Sequence, residues 1–103
     1  MNIEKKINSL NRLGKEIHKI INNQDEIIHQ ACKKNPWFVP EFVFKALDGI
    51  SYLLDEEKLK KWISKYEFYS DPKKNIGIIM AGNIPLVGFH DLVTVLLSSH
   101  RAI

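Results

Sequence analysis

The chain has 103 residues and a formal net charge of +3, with 45% apolar and 26% charged residues. This length suits one small domain, and the balance is that of a folded globular protein rather than a disordered one. No apolar run has the length of a membrane span or of a signal peptide, which predicts a cytoplasmic protein without a membrane span. The one cysteine, Cys32, excludes an internal disulfide and suits a reducing compartment.

The excess of positive charge is small and scattered along the chain. Lysines occur in pairs or beside acids, as in Lys5-Lys6, Lys33-Lys34, Lys60-Lys61 and Lys73-Lys74. Nucleic-acid-binding proteins usually concentrate basic residues on one face, with aromatic residues among them. We therefore interpret these lysines as solvated helix faces and expect no nucleic-acid partner.

Apolar residues recur at spacings of three and four through the first two thirds of the chain, which predicts about four helices. The first covers residues 2–21, and Gly14 within it is expected to cause a break or a kink. The second covers residues 25–34, where Asp25 can cap the start. It ends before Asn35-Pro36 because the residue ahead of a proline avoids helical geometry.

Two further helices are predicted before residue 70. Trp37 and Phe38 lie in a short proline-bounded segment and are expected to fill a gap between helices. Pro40 opens the third helix, since a proline in the first turn loses no hydrogen bond. Asp55-Glu56-Glu57 opens the fourth helix, where acids favour the positive end of the helix dipole.

The pattern changes after residue 74. Residues 76–80 form an apolar run typical of a strand covered on both faces. Residues 82–85, Gly-Asn-Ile-Pro, predict a turn, and residues 86–97 predict an apolar helix. Residues 102–103 read as the start of a second strand. Strand, helix and second strand together make most of a β-α-β unit, which belongs in a larger parallel sheet.

The predicted fold class is therefore α/β, with a helical region at residues 1–70 and the start of an α/β domain at residues 71–103. A single parallel strand has no partner, and an apolar helix beside it has no sheet to cover. We expect the apolar strand at residues 76–80 and the final helix to expose an apolar patch that favours self-association into a homo-oligomer.

The histidines and the cysteine do not suggest chemistry. None of the four histidines shows a metal-ligand spacing, so no metal site is predicted: His18, His29, His90 and His100. Cys32 lies near the C-terminal end of a short predicted helix, where the helix dipole disfavours a thiolate. It is therefore interpreted as a structural thiol.

Asn83 is the candidate functional residue, with two interpretations. Its amide follows an apolar strand, and ligands of parallel α/β sheets collect outside the carboxyl ends of strands. Gly82 would let a ligand approach the backbone, and Pro85 would fix the turn beyond. Alternatively, Gly-Asn is ordinary turn chemistry with no catalytic role.

The segment IGIIMAGNIPLVGFHDLVTVLLSSHRAI, residues 76–103, resembles the aldehyde dehydrogenase superfamily. In that superfamily an apolar strand leads into Pro-Trp-Asn-Phe-Pro and then a helix. Here Ala-Gly-Asn-Ile-Pro stands at residues 81–85, with the same gap between Asn and Pro. The Ala-Gly pair is closer to the long-chain acyl-CoA reductases, similar to the fatty-acid reductase of bacterial luminescence. NPWFVPEFVFKAL and EEKLKKWI, earlier in the chain, look like the N-terminal region of a bacterial group in that branch.

The resemblance implies an aldehyde-dehydrogenase-like Rossmann domain and a reduction of fatty acyl-CoA to aldehyde. A cysteine thiolate would attack the acyl-CoA, and NADP or NAD in its reduced form would deliver hydride. Asn83 would be the catalytic oxyanion donor. The residues implied to line the nicotinamide-ribose side of the cofactor are Ile79, Met80, Ala81 and Gly82.

The chain also departs from this family. The nucleophilic cysteine of the superfamily lies on a separate catalytic domain, much later in its sequences than residue 103. Cys32 matches that cysteine in neither position nor context. Residues 1–103 are therefore interpreted as the N-terminal part of a reductase and are expected to be inactive alone. The alternatives are a free-standing helical interaction module with its apolar last helix as binding face, or a superfamily member acting on free aldehyde or acyl phosphate.

Overall fold

The computed structural model describes residues 2–23, 26–67 and 72–103, which form five helices and one two-stranded parallel sheet. In chain order the elements are α1 (Ile3–Asn22), α2 (Glu26–Lys34), α3 (Pro40–Leu53), α4 (Glu56–Ile63), β1 (Asn75–Ile76), α5 (Phe89–Leu97) and β2 (Arg101–Ala102). The predicted helix-rich character is confirmed. The sheet within the described ranges is limited to these short strands, and a Rossmann domain is not seen in them.

The helix ends follow the expected capping chemistry. Asn2 caps α1, its side-chain oxygen accepting the backbone N–H of Lys5 at 2.9 Å. Pro40 occupies the first turn of α3, and Asp55 caps α4 by accepting the N–H of Lys58 at 3.2 Å. The predicted cap of α2 at Asp25 lies outside the described residues. None of the described helices has both the length and the apolarity that a membrane crossing requires.

Gly14 does not break α1, contrary to the expectation from sequence. The helix continues through it, and Gly14 is buried against α3 at its C-terminal end. A Cβ atom at position 14 would lie 3.0 Å from the Cβ of Leu54, whose side chain is fully buried. Gly14 therefore allows the two helices to approach closely, and this packing outweighs its poor helix propensity.

One buried apolar cluster joins all five helices. Its members are Ile7, Leu10, Ile17, Ile28, Val43, Leu47, Leu54, Leu59, Val93 and Leu97. Val93 and Leu97 come from α5, so its apolar face packs on the helical region. The expectation that the final helix would be exposed, or would offer a face to a partner, is therefore wrong for these residues.

A hydrogen bond ties the first helix to the last. The Lys6 Nζ donates to the backbone carbonyl of Leu96 at 2.7 Å, near the C-terminal end of α5, where a cation is favourable. Burial, and secondly the nearby Lys73, lower the pKa of the Lys6 ammonium. Because the folded chain then holds this proton less tightly than the unfolded chain, the charged ammonium opposes folding, and this penalty falls as pH rises towards the ordinary lysine value.

The segment between α2 and α3 fills a gap only in part. Phe38 is half-buried and packs against the cluster. Trp37 is 73% exposed, so its predicted role as a core residue is wrong. The backbone turn explains the difference, since Phe38 N–H donates to the Asn35 carbonyl at 3.0 Å and only one of the two adjacent side chains can face inward.

β1 and β2 pair in parallel, with Asn75 opposite Arg101 and Ile76 opposite Ala102. Backbone hydrogen bonds extend the pairing to Ile78 and Ile103. The strand predicted at residues 76–80 is therefore shorter, and its predicted cover on both faces is wrong at Ile79, which is fully exposed. Ile78 is the last residue bonded to β2.

We predict opposite effects for alanine at two helical glycines. Gly14→Ala should lower the free energy of unfolding by about 1 kcal/mol, because overpacking against Leu54 costs more than the gain in helix propensity. Gly49→Ala is the matched control in α3, where a Cβ would meet nothing within 4 Å, and should raise stability by about 0.5–1 kcal/mol. Urea unfolding of both variants measures the difference, and a stabilised Gly14→Ala would contradict the close-approach role.

Candidate active-site turn after the first strand

The candidate site is built on the carboxyl end of β1. Ile103 N–H donates to the Ile76 carbonyl at 2.9 Å, and Ile78 N–H donates to the Ile103 carbonyl at 2.8 Å. Five residues after the last of these bonds comes Asn83, in an exposed bend that covers residues 82–84. The sequence prediction of a turn there, after a strand of a parallel pair, is confirmed.

The helix after the turn begins later than the sequence predicts. Leu86 has φ of 59°, a left-handed conformation that a helix cannot contain, so α5 starts at Phe89 rather than at residue 86. The Leu86 carbonyl accepts the Phe89 N–H at 3.1 Å and closes a tight turn ahead of the helix. Pro85 is half-buried beside it. The turn thus spans more residues than its Gly-Asn pair suggests.

Asn83 presents an unoccupied amide to solvent. The residue is exposed, and its side chain has no hydrogen-bond partner within the described part of the chain. A turn-forming asparagine commonly bonds its own backbone two residues on, and this one does not. Its donor is therefore available to a ligand, as an oxyanion donor requires.

The predicted cofactor-lining residues lead along the surface to Asn83. Ile79 is fully exposed, Met80 is 51% exposed, and Ala81 and Gly82 are exposed. Gly82 does not use a left-handed conformation, and a Cβ there would meet nothing within 4 Å. The chain brings these residues together with Asn83 as an open ledge.

Met80 is held by Gly88 at the start of α5. A Cβ atom at position 88 would overlap the Cγ and Sδ atoms of the Met80 side chain. Gly88 is buried and serves as the N-cap position of α5 without a side-chain cap. The absence of a side chain at Gly88 therefore lets Met80 fold back across the turn and fixes one end of the ledge.

A second restraint on the turn comes from the helical region. The Asn35 Nδ2 donates to the Gly82 carbonyl at 2.9 Å, although the two residues are 47 positions apart. Sequence reasoning used Asn35-Pro36 only as a helix stop and missed this contact. No local pattern could have revealed it, because the bond depends on how α2 docks beside the turn.

The remaining candidate groups serve packing. Cys32 is half-buried and contacts the apolar cluster. His90 lies against Trp62 with ring centroids 5.4 Å apart, and His29 meets Phe44 edge-on at 6.2 Å. Among the described residues, no group of three or more His, Cys, Asp or Glu could hold a metal ion.

Comparison with protein-family models, with curated proteins and with solved structures finds no match to this chain. The residues of the turn and their geometry are therefore the basis for a proposed function.

We predict that the contact between Gly88 and Met80 behaves as a coupled pair. Gly88→Ala should destabilise the chain by about 1–3 kcal/mol, because the new methyl group must displace the Met80 side chain. In a Met80→Ala background the same substitution should cost much less. A double-mutant cycle by urea unfolding measures this coupling, and additive effects would contradict the contact.

Proposed function

We propose that residues 1–103 are the N-terminal part of a cytoplasmic acyl-CoA reductase in which Asn83 stabilises the oxyanion of the reaction. The observation that carries the proposal is the free amide of Asn83, exposed at the carboxyl end of a strand that pairs in parallel across a helix. The resemblance of residues 76–103 to long-chain acyl-CoA reductases supplies the reaction.

In this reaction a cysteine thiolate adds to the thioester carbonyl of a fatty acyl-CoA, and the carbonyl oxygen becomes negatively charged. The Asn83 amide, together with a backbone N–H beside that cysteine, would donate hydrogen bonds to this oxygen. The intermediate expels the CoA thiolate and leaves an acyl group on the cysteine. Addition of hydride to the acyl carbon and loss of the cysteine thiolate then release the aldehyde.

NADH or NADPH, when bound, supplies that hydride. The ledge of Ile79, Met80, Ala81 and Gly82 would form one wall for the nicotinamide ring. An exposed apolar side chain at Ile79 and open space above Gly82 suit contact with a flat ring. The nucleophile is not Cys32, which packs against the apolar cluster, so these residues alone are expected to be inactive.

The open edge of β1 also supports a sheet that continues. Because strand residues alternate in direction, the backbone groups of Gly77 and Ile79 point away from β2, and they have no partner in the described ranges. Large apolar side chains beside this sheet and in the turn are more than two-fifths exposed: Ile79, Met80, Ile84, Leu86, Val87 and Ile103. Further strands would satisfy the edge and cover these side chains.

We predict that Asn83→Ala in the native enzyme lowers kcat for acyl-CoA reduction by about 10² or more. The unfolding midpoint should stay unchanged, because the Asn83 side chain has no hydrogen-bond partner among the described residues. Asn75→Ala is the matched control, an exposed asparagine in β1, and should keep normal turnover. Normal turnover in Asn83→Ala would mean that Asn83 is an ordinary turn residue.

We predict that the native protein has an intact mass well above 11.9 kDa. Intact-mass measurement of the protein from its native cell tests this, and a native mass of 11.9 kDa would overturn the reductase proposal.

We predict that residues 1–103 self-associate when isolated, because the open edge of β1 and the exposed apolar side chains are then uncovered. Light scattering should give a mass above that of the monomer. Ile79→Lys places a charge on this edge without removing a packing contact and should restore the monomer. A wild-type chain that stays monomeric would contradict the expectation.

A further inference from the structure

We propose that Asn35 is a positioning residue, whose side-chain amide holds the turn in the conformation that presents Asn83. The catalytic part of this inference rests on the proposed function, whereas the structural part does not. The contact is the 2.9 Å hydrogen bond from the Asn35 Nδ2 to the Gly82 carbonyl.

This bond acts directly on the backbone of Asn83. The Gly82 carbonyl oxygen lies in the same planar peptide unit as the nitrogen and the Cα of Asn83. Fixing the direction of that oxygen therefore fixes the plane from which the Asn83 side chain departs. A hydrogen bond to a carbonyl farther along the chain would restrain Asn83 only through at least two additional rotatable backbone bonds.

Asn35 is itself held firmly at the end of α2. Its N–H donates to the Ala31 carbonyl at 3.0 Å, and its Oδ1 accepts the Trp37 N–H at 3.1 Å. Its own carbonyl accepts the N–H of Phe38, which packs on the apolar cluster, and Pro36 restricts the backbone between them. Because Oδ1 faces a donor and Nδ2 faces an acceptor, rotation of the amide by half a turn would break both bonds.

The turn has few other restraints. Within the described part of the chain, the bond from Asn35 is the one hydrogen bond made by residues 79–84. The neighbouring anchors are the strand bond at Ile78 and the tight turn closed by Leu86, with Met80 against Gly88 between them. Loss of the Asn35 donor would therefore free the backbone at Asn83 while the fold around it stays intact.

Asn35→Asp is the informative substitution. It keeps the size of the side chain and the acceptor for the Trp37 N–H, but an ionised carboxylate cannot donate to the Gly82 carbonyl. Asn23→Asp is the matched control, because Asn23 likewise follows a helix and is exposed. It introduces the same charge at a helix C-terminus without touching the turn.

The structural test is backbone relaxation by NMR of residues 1–103. Both substitutions are made in the Ile79→Lys background, which we expect to be monomeric. The order parameter of the Asn83 N–H should be about 0.8 in this background and in Asn23→Asp, and should fall below about 0.6 in Asn35→Asp. An equally ordered turn in Asn35→Asp would overturn the proposal.

The catalytic test uses the native enzyme with acyl-CoA and a reduced nicotinamide cofactor. Asn35→Asp should lower kcat about tenfold with little change in KM, because it disturbs a group that acts in the transition state. In an Asn83→Ala background it should have no further effect, since the group it positions is gone. An equal loss in both backgrounds would mean that Asn35 acts elsewhere.

The two tests separate the failure of each idea. If Asn35→Asp loosens the turn while Asn83→Ala leaves turnover normal, the oxyanion role is wrong and the structural role of Asn35 stands. If Asn83→Ala abolishes turnover while Asn35→Asp changes neither order nor kcat, Asn83 is catalytic and its positioning by Asn35 is wrong.

Discussion

The packing of α5 against the helical region is the constraint on which the rest of the structure depends. A two-stranded parallel sheet is too small to bury an apolar helix, so α5 places Val93 and Leu97 in the same cluster as residues of the other four helices. β1 is joined to the start of α5 through residues 77–88, and β2 follows the end of α5 after residues 98–100. The position of the sheet, and of the turn that leaves it, therefore follows from how this helix docks.

That docking gives the candidate site an unequal environment. One side of the turn is restrained, by the helical region through the amide of Asn35 and by the start of α5 through the packing of Met80 on Gly88. The other side is open and carries exposed apolar side chains, together with backbone groups of Gly77 and Ile79 that have no partner in the described ranges. Such an arrangement suits a site that is completed by other elements: the described part presents the exposed amide of Asn83, and a covering layer would exclude water from it.

The sequence was sufficient for the local features and insufficient for those that depend on long-range contacts. Periodicity and capping residues located the helices, and Asp55 and Pro40 act as predicted because their effects are confined to one helical turn. Gly14 was misread because its reason lies on α3. The extent of the strand and the exposure of Ile79 were misread because an apolar run reports hydrophobicity and not which neighbours are present. Asn83 is proposed from its place after a strand, whereas nothing in the local pattern points to Asn35.

The bond from Lys6 to the Leu96 carbonyl has a consequence for the order of folding. It joins residues 90 positions apart, so residues 6–96 must all be synthesised before it can form. Contacts between α1 and α3 close a much shorter loop and cost less chain entropy. We therefore expect the first helices to assemble while the chain is still growing, and the final helix to dock as a separate, slower step. A ribosome-bound chain would pass through a stage in which the helical bundle exists and the turn that bears Asn83 does not.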